Sequence, residues 1–275
     1  MKHVLITGCS SGVGQAAVLR LAKAGYWVTG TVRRQIDADR LGAAVESDTN
    51  WVLMDITDDQ SVLNGLGIMV ERHGAPDVLI NNIGVPCLGS MEDLQIQDFR
   101  AAMETNVIGA LRVYQAVAPA MRLRGSGQII NVSSSIGAAA LPIYGGYCAT
   151  KFALEAMSEA MRYELAPFGV TVNVLRPGII TTPFATKKQA QMAERIPANS
   201  PYVGRMDNPS APDLMERVST PEDVAAALQQ LIEMPAGEFR HVCGRDAQAF
   251  LEARRKLDDA AFEQYLTTQG YAAIV

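Results

Sequence analysis

The chain has 275 residues and a mass of 29.6 kDa, a length that single α/β domains commonly reach. Its formal net charge of −5 and the absence of a lysine or arginine run argue against a nucleic-acid or membrane-surface partner. No apolar run reaches the roughly 18 residues that span a bilayer, whereas 48% hydrophobic residues suffice for a sizeable core. We therefore expect small molecules or other protein chains as partners.

Seven short apolar stretches have the composition of strands that are buried on both faces of a sheet. They lie at residues 3–7, 27–32, 51–54, 78–81, 128–132, 170–175 and 239–243. Helical patterns alternate with them at 13–24, 37–46, 59–73, 97–123, 148–166 and 221–233. This alternation predicts an α/β fold, a doubly wound parallel sheet of about seven strands with helices on both faces, built as one domain over residues 1–275.

Residues 183–218 interrupt the alternation of strands and helices. They carry five prolines and mixed charges, with only a short helical pattern near 187–195. A long irregular segment inside a compact domain is usually functional or disordered. Because this segment follows a strand whose end should face a bound cofactor, we expect it to be a substrate-binding lid, with a surface insertion as the alternative.

A glycine-rich turn, TGCSSGVG at residues 7–14, follows the first strand directly. Glycine allows a tight turn and a close approach of a pyrophosphate, and the N-terminus of the next helix offers unpaired N–H groups to that anion. Gly8, Gly12 and Gly14 have the spacing GxxxGxG instead of the more familiar GxGxxG. The position between strand and helix favours a dinucleotide site.

The residues that follow the second strand indicate which dinucleotide binds. A carboxylate there would bind the adenine ribose, whereas an arginine would accommodate a 2′-phosphate. The strand ends in TVRR, and no carboxylate occurs before Asp37. Arg33 offers a planar, permanently charged group, and Ser10 and Ser11 add hydroxyl donors. The sequence thus favours NADP(H) over NAD(H); the alternative is that both arginines lie on an exposed turn.

The segment YGGYCATK at residues 144–151 places Tyr147 four residues before Lys151, on one face of a predicted helix. Tyr144 lies nearly two turns from the lysine and has no such neighbour. An ammonium group close to a tyrosine hydroxyl favours the phenolate and prepares the hydroxyl for acid–base chemistry. We expect Tyr147 to have a lowered pKa for this reason.

Together, TGCSSGVG and YCATK resemble the corresponding motifs of the short-chain dehydrogenase/reductase family. Five further marks occur in the family's order: Asp55, the segment NNIG at 81–84, Asn106, Ser134 and Pro177-Gly178. The resemblance covers most of the chain. It implies a single-domain Rossmann fold and an NADP-dependent oxidoreductase that acts on CH–OH or C=O groups.

The resemblance also implies catalytic roles for four residues. Tyr147 would act as general acid in carbonyl reduction and as general base in alcohol oxidation, with Lys151 lowering its pKa and holding the nicotinamide ribose. Ser134, thirteen residues before Tyr147 as is usual in the family, would stabilise charge on the substrate oxygen. Asn106 would support a proton relay through Lys151, and the hydride would belong to the nicotinamide.

For the cofactor, the resemblance implies adenine contacts near Asp55 and Ile56, ribose contacts near Asn82 and Gly84, and nicotinamide contacts between Pro177 and Thr182. The full set of expected cofactor residues is Gly8, Ser10, Ser11, Gly12, Val13, Gly14, Arg33, Asp55, Ile56, Asn82, Gly84, Tyr147, Lys151, Pro177, Gly178, Ile180 and Thr182. Two alternatives stay open: Asp55 as a helix cap, and Asn81 with Asn82 as bridges between strands. Ile83 stands where the family usually has alanine.

The substrate is expected to be a fairly apolar ketone, aldehyde or secondary alcohol, because the lid region contributes apolar side chains. These are Phe184, Ile196, Tyr202, Val203 and Met206. By analogy of layout, family members that act on steroids and retinoids are the most similar. A non-catalytic NADP(H)-binding redox sensor and a nucleotide-sugar epimerase or dehydratase are the competing hypotheses.

Four scattered cysteines without a CxxC pair and a first strand that starts at residue 3 favour a cytoplasmic protein. Three dispersed histidines give no reason to expect a metal site. The long helical patterns 97–123 and 148–166 carry alanine, methionine and leucine over much of their circumference. In many relatives the equivalent helices pack against a second subunit, so we expect a homodimer or homotetramer.

Overall fold

A computed structural model describes residues 1–43, 49–181, 197, 199–202, 218–235 and 237–271. Within these residues one seven-stranded sheet has the order β3-β2-β1-β4-β5-β6-β7, and all its neighbouring strands are parallel. The strands are β1 (His3–Ile6), β2 (Trp27–Val32), β3 (Asn50–Leu53), β4 (Val78–Asn81), β5 (Gly127–Val132), β6 (Val170–Pro177) and β7 (Arg240–Cys243). The sheet confirms the predicted α/β fold.

Helices cover both faces of the sheet, as predicted. In the described residues they are α1 (Gly12–Lys23), α2 (Gln35–Gly42), α3 (Asp59–His73), α4 (Ile96–Met103), α5 (Gly109–Arg124), α6 (Gly145–Leu165), α7 (Pro221–Glu233), α8 (Arg245–Lys256) and α9 (Asp259–Thr268). Helices α1, α2 and α7 pack on one face, and α3, α5 and α6 pack on the other. The chain adds β2 and β3 on one side of β1 and then β4 on its other side. This change of side creates a crevice at the carboxyl ends of β1 and β4.

The strand sequences explain why the sheet is buried on both faces. Successive side chains of a strand point to opposite faces. In β1, Val4 and Ile6 enter the core under α1 and α7, while Leu5 enters the core under α3 and α5. All three are fully buried. A continuous apolar run is therefore required, and it is what made β1 recognisable in the sequence.

Two features of the helices differ from the sequence expectation. The pattern at 97–123 is not one continuous helix, because a π-helical turn, Glu104–Ile108, joins α4 to α5. The C-terminal helices α8 and α9 were not predicted. They pack Phe250, Phe262 and Leu266 into a third apolar cluster together with Ile136 and Leu141. This cluster lies beside α6 and includes Tyr147 at its margin.

Among the described residues, no helix is long and apolar enough to cross a membrane. The same residues hold no group of three or more potential metal-ligating side chains.

Candidate active site

Apart from Asn106, the predicted site residues follow the carboxyl ends of β1 to β6 or lie near the start of α6. In parallel α/β sheets, ligands bind in the crevice at this edge. The glycine-rich turn follows β1, and the segment 82–84 follows β4. Ser134 follows β5, and Pro177 ends β6. The fold thus collects residues that are far apart in sequence at one edge of the sheet.

The glycine-rich turn is held in place by Asn82. The Nδ2 group of Asn82 donates to the carbonyl oxygens of Thr7 and Gly8 at 3.0 and 3.2 Å. Gly8 and Gly12 have φ angles of 73° and 60°, a left-handed region that favours glycine. Of the two alternatives open for the asparagines, strand bridging describes Asn81, whose amide donates to Asn131 Oδ1 on β5 at 2.9 Å. Asn82 instead positions the turn.

Gly14 allows the first turn of α1 to approach the glycine-rich turn closely. A Cβ at Gly14 would overlap the carbonyl oxygen of Gly8 and lie 2.7 Å from Asn82 Nδ2. Among the described residues, no side chain caps the start of α1, and its N-cap residue Ser11 has an extended backbone. The N–H groups of the first turn are therefore available to an anion. This arrangement fits a dinucleotide pyrophosphate.

Ile83 packs directly against the glycine-rich turn. Its Cγ1 and Cβ atoms lie 2.9 and 3.0 Å from the position of a Cβ at Gly8. The side chain also contacts the core cluster under α3 and α5. The isoleucine that departs from the family pattern thus fills space below the turn.

Arg33 is exposed immediately after β2, opposite the turn that contains Asp55. Burial acts to raise the pKa of Asp55, but hydrogen bonds from Thr57 and the charge of Arg33 outweigh it and lower the pKa. The Asp55 carboxylate accepts from the amide and hydroxyl of Thr57 at 2.9 and 2.8 Å. The N-cap of α3 is Asp58, which accepts from the Ser61 amide at 2.6 Å. Asp55 therefore orders the turn before α3 and does not cap the helix.

The other arginines near the end of β2 differ in their surroundings. Arg34 forms two hydrogen bonds to Asp37 at 2.8 and 3.1 Å, so a carboxylate on α2 holds it. Arg40, also on α2, donates to the carbonyl oxygen of Ser10 in the glycine-rich turn at 2.7 Å. Arg40 was not predicted from the sequence, because its only signal there is a position on the helix face that points toward the turn. Arg40 adds positive charge beside Ser10.

Tyr147 and Lys151 lie on one face of α6, as their spacing predicts. The Lys151 ammonium is 5.6 Å from the centre of the Tyr147 ring and donates to the carbonyl oxygen of Val132 at the end of β5 at 2.9 Å. The backbone amide of Tyr147 donates to the carbonyl oxygen of Cys87, in the loop after β4, at 3.0 Å. These contacts fix the start of α6 against two strand ends.

The pKa of Tyr147 differs from the expectation. Burial, with a smaller effect of Cys148, raises the pKa of Tyr147 above its ordinary value of 10.0. Lys151 is 2% exposed, and burial lowers its pKa to about 8, although the charge of Glu155 opposes this effect. Desolvation penalises both charged forms in the protein, and it outweighs the attraction between them that the spacing suggested. The prediction that Tyr147 has a lowered pKa was therefore wrong.

Asn106 lies within the π-helical turn and is 1% exposed. Its amide accepts from the Val85 N–H at 2.7 Å, and donates to the Val85 carbonyl at 2.9 Å and to Thr150 Oγ1 at 3.1 Å. A Cβ at Gly84 would lie 3.6 Å from both Asn106 Oδ1 and Lys151 Nζ. Single π turns occur frequently at functional sites. This one brings Asn106 next to α6, which carries Tyr147 and Lys151.

Ser134 is the N-cap of the short 3₁₀ turn Ser135–Gly137 and is partly exposed. Its hydroxyl accepts from the Ile136 amide at 3.4 Å. Ser133 is 4% exposed, and its hydroxyl has no hydrogen-bond partner among the described residues. Of these two serines, only Ser134 is partly exposed at the strand end, and its contact with the substrate stays a prediction.

The loop after β6 begins at Pro177, continues through Gly178 and Ile179 and reaches Ile180 and Thr181. Ile180 packs against the core cluster that contains Cys9 of the glycine-rich turn. The predicted cofactor residue Thr182 lies outside the described residues. This loop and the glycine-rich turn follow the carboxyl ends of β6 and β1, at the same edge of the sheet.

The side chain of Ile56 packs into the core and does not line the crevice. Its side chain is 1% exposed, and its Cδ1 atom lies 2.6 Å from the position of a Cβ at Gly109 on α5. Its carbonyl oxygen accepts from Arg112 at 2.8 Å. The expected adenine contact of Ile56 is therefore limited to its backbone amide, because the side chain fills the core.

Most of the predicted lid, residues 183–196, 198 and 203–217, lies outside the described residues, including Phe184, Ile196, Val203 and Met206. Two described positions contact the loop after β4. Ser200 donates to Asp93 at 2.7 Å, and Tyr202 donates to Glu92 at 3.0 Å. At the ends of the segment, the Thr181 amide donates to the Ser219 carbonyl at 3.1 Å.

Known proteins resemble this chain in sequence and structure. A family model described as short chain dehydrogenase matches residues 2–193. The chain is 37% identical over 188 residues to the NADPH-dependent pterin aldehyde reductase of Arabidopsis thaliana. The matched region covers 67% of this chain and 77% of the relative. It is 31% identical to human 17-beta-hydroxysteroid dehydrogenase type 1 over 96% of this chain and 83% of the relative. A solved short-chain dehydrogenase from Streptomyces avermitilis superposes with a TM-score of 0.81 at 30% identity, over 97% of this chain and 95% of that one.

Proposed function

The chain belongs to the short-chain dehydrogenase/reductase family, and on that basis we propose that it transfers a hydride between NADP(H) and a ketone, aldehyde or secondary alcohol. One observation carries the proposal. The Lys151 ammonium contacts the Tyr147 ring and lies beside Gly84 and Asn106, at the carboxyl edge of the sheet. A buried lysine, a tyrosine and an open glycine surface at this edge suit a nicotinamide ribose and a reacting oxygen.

The described residues fit a dinucleotide. Gly14 lets α1 pack closely against the glycine-rich turn, Gly84 has no side chain to cover the space beside Lys151, and the uncapped start of α1 suits a pyrophosphate. Lys151 would hold the nicotinamide ribose, and Asn82 would keep the glycine-rich turn in place. When bound, the nicotinamide supplies or accepts the hydride.

Tyr147 would exchange the proton with the substrate oxygen. Since burial raises its pKa, the hydroxyl is protonated near neutral pH, which suits a general acid in carbonyl reduction. The pKa of Lys151, about 8, allows proton exchange at the same site near neutral pH. The hydroxyl of the partly exposed Ser134 would donate to the substrate oxygen and stabilise the charge that develops there.

Two exposed arginines support the proposed preference for NADP(H). Arg33 follows β2 without a neighbouring ribose-binding carboxylate, and Arg40 contacts Ser10. We expect Arg33→Ala to reduce NADPH affinity by about tenfold, the loss of one charge-assisted contact, and to leave NADH affinity nearly unchanged. Arg34→Ala is the matched control, because Asp37 already binds that arginine. Equal NADPH affinities of the wild type and Arg33→Ala would reject the phosphate role.

The substrate is proposed to be fairly apolar. The apolar cluster that includes Tyr144, Tyr147 and Leu141 lies beside the start of α6. The named activity of the human relative concerns a hydroxysteroid, which is consistent with such a substrate. A panel of apolar and polar ketones, aldehydes and alcohols, followed at the NADPH absorbance band, tests the proposal. NADPH binding without turnover of any compound would favour the redox-sensor alternative.

We also propose a homodimer or homotetramer that uses α5 and α6. Phe152 and Tyr163 on α6 are 44% and 67% exposed. Light scattering after size-exclusion chromatography would measure the mass of the assembly. We expect a charged substitution at Phe152 to lower the mass of the assembly. A wild-type protein that is monomeric at micromolar concentration would overturn this proposal.

A further inference from the structure

A buried carboxylate supports the loop after β6 from below. Asp246, in the first turn of α8, is 2% exposed. Its Oδ2 atom accepts from the backbone amide of Ile179 at 2.6 Å. Its Oδ1 atom has no hydrogen-bond partner among the described residues. Placing a carboxylate in such surroundings is unfavourable unless its hydrogen bonds compensate, so the contact to Ile179 is a specific feature.

Two glycines make this approach possible. A Cβ at Gly178 would overlap both carboxylate oxygens of Asp246, and a Cβ at Gly244 would lie 2.6 Å from Asp246 Oδ1. Gly244 also has a φ of 103°, which glycine adopts readily. The family resemblance singled out Gly178 as a cofactor residue. The structure gives a separate reason for glycine at this position, which is space for the Asp246 carboxylate.

Among the described residues, the rest of the loop is held by backbone hydrogen bonds and by the packing of Ile180 against the core. The Gly178 amide donates to the Cys243 carbonyl at 3.0 Å, and the Thr181 amide donates to the Ser219 carbonyl at 3.1 Å. The Ser219 amide in turn donates to the Ile179 carbonyl at 2.9 Å. Asp246 is thus the side chain that fixes the middle of the loop.

The position of this loop connects the contact to function. In a doubly wound sheet each half binds one mononucleotide, and β6 belongs to the half opposite the glycine-rich turn and Arg33. The loop after β6 therefore faces the nicotinamide end of a bound dinucleotide. A carboxylate that fixes this loop affects one end of the cofactor and not the other.

We propose that Asp246 is a positioning residue that holds the Gly178–Ile179 backbone in the conformation that binds the nicotinamide half of the cofactor. The inference rests on the proposed function, because it requires a nicotinamide dinucleotide in this crevice. Asp246 does not touch the reacting atoms. It acts through the loop above it.

The experiment compares two ligands that share the adenine end. NADPH contains the nicotinamide, whereas adenosine 2′,5′-bisphosphate lacks it. We expect Asp246→Ala to weaken NADPH binding by about tenfold, the typical value of a hydrogen bond to a charged group, and to change the affinity for adenosine 2′,5′-bisphosphate by less than about twofold. Asp246→Asn keeps an oxygen acceptor for the Ile179 amide, and we expect it to bind both ligands nearly as the wild type does. Fluorescence titration and calorimetry provide the affinities.

Asp258→Ala is the matched control for the loss of a carboxylate and of stability in the C-terminal helices. Asp258 caps α9 through a 2.9 Å hydrogen bond to the Ala261 amide and does not contact the loop. We expect this variant to bind both ligands like the wild type. If Asp246→Ala does not fold, Gly178→Ala, whose Cβ would push the carboxylate away, should show the same selective loss of NADPH affinity.

Three outcomes would overturn the inference. Asp246→Ala with wild-type NADPH affinity would do so while the proposed function stands. If Asp246→Ala lowered the affinities for both ligands equally, the substitution would act through a general effect on folding and not through the position of the loop. A wild-type protein that binds neither ligand would overturn the proposed function and, with it, this inference.

Discussion

Acidification should destabilise the protein through His3. The His3 ring is 3% exposed at the start of β1, stacks on Trp27 with ring centres 4.8 Å apart, and places Nε2 2.9 Å from Thr29 Oγ1. Burial, followed by the charge of His73, lowers the pKa of His3 from 6.5 to about 4, and the charge of Asp77 opposes this in part. The folded protein therefore holds the ring in its neutral form.

The sign and size of the effect follow from linkage. Because the pKa of His3 is lower in the folded than in the unfolded chain, its contribution to stability is full above 6.5 and is lost as the pH falls toward 4. The difference between these values corresponds to about 3 kcal/mol of unfolding free energy. This is a large part of the stability of a typical domain.

Urea denaturation at a series of pH values measures this contribution. In His3→Gln, the fall in unfolding free energy from about pH 7 to about pH 4 should be smaller than in the wild type by about 3 kcal/mol. Thr29→Val is the control, since it removes the hydrogen-bond partner but keeps the titrating ring. It should lower stability at every pH and retain the slope. Parallel curves for the wild type and His3→Gln would refute the reasoning.

Three further predictions concern the site. Gly14→Ala should reduce NADPH affinity by more than about tenfold in a fluorescence titration, because its Cβ would overlap the Gly8 carbonyl; unchanged affinity would show that the glycine-rich turn can adjust. Asn106→Ala should lower the unfolding free energy by about 2–4 kcal/mol and also reduce turnover, since it leaves the partly buried N–H and carbonyl groups of Val85 without the Asn106 amide; a loss of turnover at wild-type stability would contradict the structural part. Glu155→Gln should shift the pH–rate profile of carbonyl reduction to lower pH, because the charge of Glu155 raises the pKa of Lys151; an unshifted profile would mean that Lys151 does not control the rate.

Local sequence signals were sufficient for the elements that are buried on two faces. The continuous apolar runs of β1, β2 and β4 match the structure within one residue, because a strand covered by helices on both sides tolerates few polar residues. The glycine-rich turn and the spacing of Tyr147 and Lys151 are likewise local. Their positions at the carboxyl edge follow from the parallel topology alone.

The C-terminal helices could not be predicted in the same way. Helix α8 reads RDAQAFLEARRK, and only Asp246, Ala247 and Phe250 are buried in it. A charged segment with so narrow an apolar face gives little periodic signal. Its stability depends on the third apolar cluster, which brings together residues from two distant parts of the chain, 136–148 and 250–271. Asp246 was missed for this reason.

Properties that depend on burial were also beyond the sequence. The π turn at Asn106 requires one extra residue in a helix, and the only hint is the segment TNVIG, which combines β-branched residues with a glycine. The spacing of Tyr147 and Lys151 predicted a contact but not the desolvation of both groups. Desolvation depends on every atom packed around them, so it reversed the expected direction of the Tyr147 pKa.

The central claim is that Tyr147 exchanges the proton at a nicotinamide site. The most direct test measures NADPH binding and carbonyl reduction by Tyr147→Phe, with Tyr163→Phe as control because that tyrosine is exposed on the same helix. We predict NADPH affinity near that of the wild type and turnover lower by a factor of about 10²–10⁴ in Tyr147→Phe, with Tyr163→Phe unaffected. Wild-type turnover in Tyr147→Phe would contradict the account.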